Sequence, residues 1–355
     1  MNQTRLKLLE KLSLASGVAG FESEIAEIIE SELKGFTKIS YDKMGSIVCA
    51  KRGTSDTPKV MLPGHMDEIG FMTTLITEDG FIKFVMLGGW NHTQLPSQRV
   101  MIKTSKGNVP GVIGSKPPHL MAEEERNKPI EKKALFIDIG AKDKKETTKL
   151  GVRPGDPIVP DAPFTVMANP DYIMAKAWDD RIGCALFIEV LKELKGKRHP
   201  NTVYGVGTVQ EEVGLRGART AANKVNPDVA LVCDVGLAQD IPGGEKSMGT
   251  LGKGPQINLY DRGMIPNLRL RDFVIATAEK KKIPYQLEAL EGGSTDGAMI
   301  HIHAEGVPSI YIGVPTRYIH SHAGIIHRAD YENTIRLITE LVFRFDAKTV
   351  RKFSK

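Results

Sequence analysis

His65 and Asp67, Asp179, the adjacent Glu211 and Glu212, Asp234 and His320 each stand at or just beyond the end of an apolar, strand-like run. Imidazole nitrogen and carboxylate oxygen are the donors that zinc and its neighbours take, at about 2.0–2.2 Å. Two ions held roughly 3.5–4 Å apart by a shared oxygen ligand polarise a carbonyl and generate hydroxide near neutral pH. Such a pair needs several ligands and a base, which these residue types supply. A lone carboxylate after a strand is ordinarily a helix cap or a solvated loop residue, and Asp179, just ahead of a helix expected from Arg181, has that rival role. Carboxylates gathered repeatedly at one sheet edge repel each other unless cations neutralise them. Their recurrence points to a metal centre.

Local spacing refines the roles. His65 and Asp67 follow the run Lys59 to Leu62 across a Pro63-Gly64 turn. Asp67 is placed to accept a hydrogen bond from the second ring nitrogen of His65, fixing tautomer and orientation. Glu211 and Glu212 would point to opposite faces of an ideal strand, so at a strand end one can ligate while the other handles protons. His320, His322 and His327 cluster after the strand Ser309 to Val314, and at least one of them is expected to be a ligand. His92, His119 and His199 sit beside Pro or in polar loops and carry no assigned role.

The elements that must position these groups are legible from periodicity. Leu6, Leu9 and Leu12, then Ile25, Ile28, Ile29 and Leu33, recur at helical spacing. From about Ile69 the character changes to short β-like runs (Gly70 to Ile76, Phe81 to Met86, Arg99 to Thr104, Val109 to Ile113, Ala134 to Ile139) punctuated by Gly and Pro, the pattern of a small barrel or sandwich. Beyond Asp171 strands and helices alternate again: Ile173 to Trp178, helix Arg181 to Leu194, Thr202 to Val209, helix Arg216 to Asn223, Val229 to Cys233. This is the βαβ pattern of a sheet covered on both faces, whose ligands bind beyond the carboxyl ends of the strands. The expected organisation is one α/β domain made of residues 1–68 and 165–355, with an all-β domain, 69–164, inserted in it. Charged Glu123 to Lys133 reads as an exposed loop of the insertion.

At 355 residues and 41% hydrophobic composition, the chain has enough material for two cores. No uncharged apolar run approaches the roughly 18 residues that a bilayer span needs, so no membrane association is expected. The formal charge of +5 is modest, and the basic stretches Lys142 to Lys149 and Lys348 to Lys355 contain acids or lack interleaved aromatics; nucleic acid is not an expected partner. Cys49, Cys184 and Cys233 are widely spaced and embedded in apolar runs. They read as buried thiols of a cytoplasmic protein rather than as disulfides.

Four motifs carry a family resemblance: Pro63-Gly64-His65-Met66-Asp67-Glu68-Ile69-Gly70, Ala177-Trp178-Asp179-Asp180-Arg181, Val209-Gln210-Glu211-Glu212-Val213-Gly214 and Arg317-Tyr318-Ile319-His320-Ser321. With their spacing, the chain resembles the cytosolic tetrahedral, or glutamyl-type, aminopeptidases, dinuclear metallo-enzymes of which some members carry the label endoglucanase. The resemblance implies a zinc-exopeptidase-like mixed sheet flanked by helices, and removal of N-terminal residues from peptides. It implies one metal on His65, Asp179 and Asp234 and a second on Asp179, Glu212 and His320, with Asp179 bridging. Glu211 would be the general base, assisted by Asp67. The ions would be zinc or cobalt, with manganese as a further candidate. The inserted β domain would dimerise the chain, and six dimers would build a hollow dodecamer.

This chain has His322 where many relatives carry Pro or another non-ligand, so His322 stands as an alternative to His320. Val235-Gly236-Leu237 after Asp234 matches no expected loop and is a candidate for shaping substrate preference. Gly292-Gly293-Ser294-Thr295-Asp296-Gly297 reads either as a substrate-pocket rim, where glycines admit close backbone approach, or as a loop capping the following helix. Arg262 and Lys253 either form a basic pocket for acidic N-terminal residues or are simply exposed. Three rival functions share these residues: a metal-free glycosidase using two carboxylates, a deacylase of small amides, and a non-catalytic assembly protein that retains the fold.

Overall fold

The structure is a computed structural model that describes residues 1–126, 128–245 and 249–354. Strands β1 (Lys38–Tyr41), β2 (Ile47–Arg52) and β3 (Lys59–His65) precede β4 (Gly70–Ile76), β5 (Ile82–Leu87), β6 (Arg99–Thr104), β7 (Gly107–Gly114), β8 (Phe136–Asp138) and β9 (Pro157–Pro160). Then follow β10 (Thr165–Val166), β11 (Tyr172–Ala175), β12 (Thr202–Thr208), β13 (Val229–Leu237), β14 (Gln256–Tyr260), β15 (Gln286–Ala289), β16 (Ser309–Arg317) and β17 (Gly324–His327). The helices are α1 (Gln3–Leu14), α2 (Ser23–Leu33), α3 (Glu123–Arg126), α4 (Lys144–Lys149), α5 (Trp178–Glu193), α6 (Arg216–Val225), α7 (Leu268–Lys280), α8 (Gly297–Ile300), α9 (Arg328–Val342) and α10 (Ala347–Arg351).

Strands β4 to β9 close into an antiparallel barrel in the order β4-β5-β8-β7-β6-β9. Phe71, Ile82, Val100, Ile102, Ile113, Ile137 and Ile158 fill it, every one inaccessible to solvent. All other strands belong to an 11-stranded mixed sheet, β1-β2-β12-β3-β13-β16-β17-β11-β10, with β14 joining β16 and carrying β15. Strand β3 pairs in parallel with β12 and β13, and β13 in parallel with β16. Four carboxyl ends therefore open onto one edge, and the site residues collect there.

Each face of the sheet is covered. On one side α1, α2, α5 and α9 pack over the largest apolar cluster, which takes in Leu9, Leu12, Ile25, Ile29, Leu33 and the run Ile182 to Leu191. On the other, α6 and α8 cover Met61, Val206 and Ala230 through Ala218, Ala221 and Ile300. Helix α5 lies directly on β3, because Gly64 and Gly183 remove side chains at the crossing: a Cβ on Gly64 would stand 2.6 Å from the Gly183 carbonyl carbon.

Several expectations are corrected. Pro63-Gly64 is not a turn; β3 runs through it to His65. The ladder to β13 ends at Met61, so a residue without an N–H is tolerated at 63. Strand β13 continues three residues beyond Asp234, which places that carboxylate inside the strand. The expected strand Ala134 to Ile139 is reduced to Phe136–Asp138 after a 3-10 turn. The exposed excursion Glu123 to Lys133 contains the single-turn α3, and Asn127 lies outside the described residues.

Arg181 ties the N-terminal segment to the site edge. Its guanidinium, fully buried, donates to the carbonyls of Met66, Leu12, Ala15 and Gly17 and to Glu68, which also receives Lys176 at 2.7 Å. Arg181→Met should remove about 3–5 kcal/mol of stability, because Glu68 loses part of its compensation and four carbonyls lose a buried donor. Urea unfolding of the variant checks this; a loss under about 1 kcal/mol would contradict the clamp.

Candidate metal centre

Two clusters of ligand atoms form at the sheet edge, each with its donors within 4.8 Å of one another: His65, Asp179 and Asp234 in one, Asp179, Glu212 and His320 in the other. Asp179 belongs to both. Its Oδ1 lies 3.0 Å from His65 Nε2 and its Oδ2 lies 3.2 Å from His320 Nε2. Glu212 Oε1 stands 3.3 Å from His320 Nε2. Glu211 falls in neither cluster, yet its Oε2 is 3.8 Å from His65 Nε2. Two imidazoles and three carboxylates, one shared, are a donor set that suits a pair of divalent ions.

Each donor is held by identifiable neighbours. His65 Nδ1 contacts the Asp67 backbone carbonyl at 2.9 Å, which leaves Nε2 free to point at Asp179. The Asp67 carboxylate, 3.6 Å from that ring, is occupied elsewhere: Oδ1 accepts the Glu211 N–H at 2.9 Å and Oδ2 the Glu212 N–H at 3.1 Å. The expected Asp67–His65 pairing thus runs through main chain, and the side chain aims the two glutamates instead. Asp180 takes the capping role foreseen for Asp179, accepting the Gly183 N–H at 2.8 Å, and it also accepts the His65 N–H at 3.0 Å. Asp179 is thereby released to the site. The peptide joining Asp179 to Asp180 is cis.

The barrel reaches the same edge. His320 Nδ1 donates to the Gly89 carbonyl at 3.0 Å, which directs its Nε2 toward Asp179 and Glu212. Trp90, next in sequence, stacks on Phe71 in the barrel core and lies 5.2 Å from the ring of His322. Of the two histidines, His320 lies in the cluster, while buried His322 packs on Trp90 with its pKa pushed down to about 4 by burial. Ala177, Gln210, Leu215, Tyr318 and His320 all take left-handed backbone, a conformation costing non-glycine residues roughly 1–2 kcal/mol each. Such turns cluster where strand ends must re-aim side chains.

The electrostatics are those of crowded negative charge. Burial and neighbouring carboxylates hold Glu211 and Asp234 well above the usual carboxylate range and raise Glu212. Asp179, between two imidazoles, is pulled down, and His320 is raised to about 11 by Asp179 and Glu212 against its own burial. Glu212 Oε1 is buried and faces the His320 ring at 3.3 Å. Divalent cations would relieve these repulsions together, so the residues fit the ions.

Sequence reasoning missed two contributors, Asp180 and Asp296. Asp180 was hidden behind its neighbour in an Asp-Asp pair. Asp296, in the glycine-rich loop, caps no backbone N–H; its Oδ2 accepts the Thr208 hydroxyl at 2.5 Å, and burial raises its pKa to about 6. The only available signal was an acidic residue among glycines. The preceding Gly292 to Thr295 do line the cleft beside the clusters, whereas Arg262 and Lys253 are exposed and line none of it.

Asp67→Asn should leave the fold intact but lower turnover about 10²-fold, since an amide offers only one acceptor to the two glutamate N–H groups. Unchanged kinetics would deny Asp67 its aiming role.

A mixed α/β sheet, a closed barrel and two donor clusters sharing one carboxylate meet at this edge, and comparison with known proteins gives the class. The model of the M42 glutamyl aminopeptidase family matches residues 45–337. The chain is 35% identical to the glutamyl aminopeptidase of Lactococcus lactis subsp. cremoris (strain MG1363) over 91% of each chain. It is 34% identical to the lysyl aminopeptidase of Pyrococcus furiosus, covering 95% of this chain and 96% of that protein. A crystal structure of a TET aminopeptidase from the marine sediment archaeon Thaumarchaeota archaeon SCGC AB-539-E09 superimposes with TM-score 0.97 at 45% identity, covering 99% of this chain and 100% of that one. The TET1 peptidase of Pyrococcus horikoshii, described as assembling into a tetrahedron or a large octahedral shell, gives TM-score 0.86 at 33% identity over 96% and 100% of the two chains. The chain belongs to the M42 aminopeptidase family.

Proposed function

We propose that this chain is a dinuclear metal-dependent aminopeptidase that removes N-terminal residues from peptides. The observation that carries the reading is the shared carboxylate: Asp179 joins both donor clusters while Glu211 stands at the site outside either one. His65, Asp179 and Asp234 would hold one ion, and Asp179, Glu212 and His320 the other. When bound, zinc, cobalt or manganese would polarise the scissile carbonyl and acidify water. Glu211 takes a proton from the attacking water as its oxygen bonds to the carbonyl carbon. It then returns the proton to the departing amine nitrogen as the C–N bond breaks. Asp67 keeps both glutamates aimed throughout.

The glycosidase alternative leaves two imidazoles at the centre of the carboxylates without a task, and Trp90 and Trp178 are both buried, so neither offers a stacking face to a sugar. A deacylase of small amides would use the same centre, and substrate choice separates it. A non-catalytic assembly protein has no use for a complete donor set. For the assembly, the reading is a homodimer through the inserted barrel, building toward a dodecamer, supported by the family relatives' shells and testable by light scattering. Three free, buried cysteines support work in the cytoplasm. No helix among the described residues is long and apolar enough to cross a membrane.

A panel of aminoacyl anilides, assayed before and after chelation with zinc, cobalt or manganese added back, tests the function. Release of chromophore that vanishes on chelation and returns with metal is the expected result. Cleavage unaffected by exhaustive metal removal would overturn it.

A further inference from the structure

The donor clusters open into a cleft of about 590 Å³. Leu215, Val235, Leu237, Leu290 and Ile319 give it apolar walls. Buried Glu288, Asn258 and Asp261 also line it. Glu288 Oε1 accepts the Leu237 N–H at 3.0 Å and the Gln256 side-chain amide at 3.1 Å; Oε2 is left without a donor among the described residues, because the neighbouring Tyr311 hydroxyl donates to the Val235 carbonyl instead. Asn258 Oδ1 is likewise buried without one. Asp261 is satisfied by the N–H groups of Gly263 and Met264 and by Asn258 Nδ2, so it adds negative charge without needing a donor. Among the described residues lining the cleft, none is Lys or Arg.

The geometry points to this cleft as the pocket for the substrate's N-terminal side chain, with Glu288 and Asn258 selecting a cationic one, lysine foremost. The inference deepens the aminopeptidase reading and rests on it. Three features support it. Two unpaired acceptors in a cleft with apolar walls match an ammonium, which brings three donors and no acceptor on an aliphatic stem. Next, Glu288 is anchored at the amide of Leu237, three residues along β13 from Asp234, or about 10 Å on an extended strand. A separation of that order calls for a long side chain, and lysine carries its charge at the end of a four-carbon stem. Finally, burial holds the Glu288 pKa up to about 7, and a cation seated against it would restore the charged form. A neutral side chain would strand both acceptors in a dry site, and a carboxylate would add a like charge.

The test uses metal-loaded protein and the anilides of lysine, arginine, norleucine and glutamate, norleucine having the lysine stem without the ammonium. For the native chain, kcat/KM for lysine should exceed that for norleucine at least about tenfold and that for glutamate at least about a hundredfold, the worth of a desolvated charged hydrogen bond. Glu288→Gln should collapse the lysine-to-norleucine ratio about tenfold or more. Being a ratio, it is insensitive to any loss of folded or active protein. Norleucine cleaved as well as lysine, or a ratio unmoved by the substitution, overturns the pocket assignment and leaves the aminopeptidase standing. Cleavage of none of the anilides overturns both.

Discussion

Glu211→Gln is expected to lower kcat on an aminoacyl anilide about 10³-fold while metal content stays near that of the native protein. General-base removal ordinarily costs about 10²–10⁴, and glutamine keeps the shape but cannot accept the proton. The metal expectation follows from position: Glu211 lies outside both donor clusters, and its N–H remains bound to Asp67. Steady-state kinetics and elemental analysis on the same sample check both halves. Loss of metal would make Glu211 a ligand, and activity within about tenfold of native would send the proton to another group.

Asp179→Asn is expected to empty both metal positions at once and abolish turnover. Among the described residues only Asp179 belongs to both clusters, with Oδ1 3.0 Å from His65 Nε2 and Oδ2 3.2 Å from His320 Nε2. An amide presents one weak oxygen where two anionic ones stood, and the remaining carboxylates lose the charge that compensates two imidazoles. The fold should survive, because Asp180 rather than Asp179 caps α5. Retention of one ion per chain, measured on protein with native circular dichroism, would show that the two clusters are independent and contradict the shared ligand.

The site was largely legible before the fold was known, for reasons of periodicity. Strands β3, β12, β13 and β16 announce themselves as apolar runs, and a polar residue ending such a run must lie near the sheet's edge. The family motifs then distributed roles among His65, Asp179, Glu211, Glu212, Asp234 and His320. What spacing could not decide was which atoms of neighbouring residues face inward. The exchange of roles between Asp179 and Asp180, and between main chain and side chain at Asp67, turns on backbone angles at single residues. Choosing between His320 and His322 depended on Trp90, some 230 positions away in sequence, and on the Gly89 carbonyl beside it.

The sequence by itself determined the alternation of elements, the inserted β segment and the set of ionisable residues, because these follow from hydrophobic pattern and residue chemistry within short windows. Tertiary structure alone decided which of those residues share one space. It also brought Glu288, unremarkable in the sequence, into the lining of the cleft. Packing beside Leu237 and Gln256, with the Tyr311 hydroxyl turned to the Val235 carbonyl, leaves one of its oxygens unpaired among the described residues, and the pairing of a buried oxygen is a property of packing that no local pattern encodes.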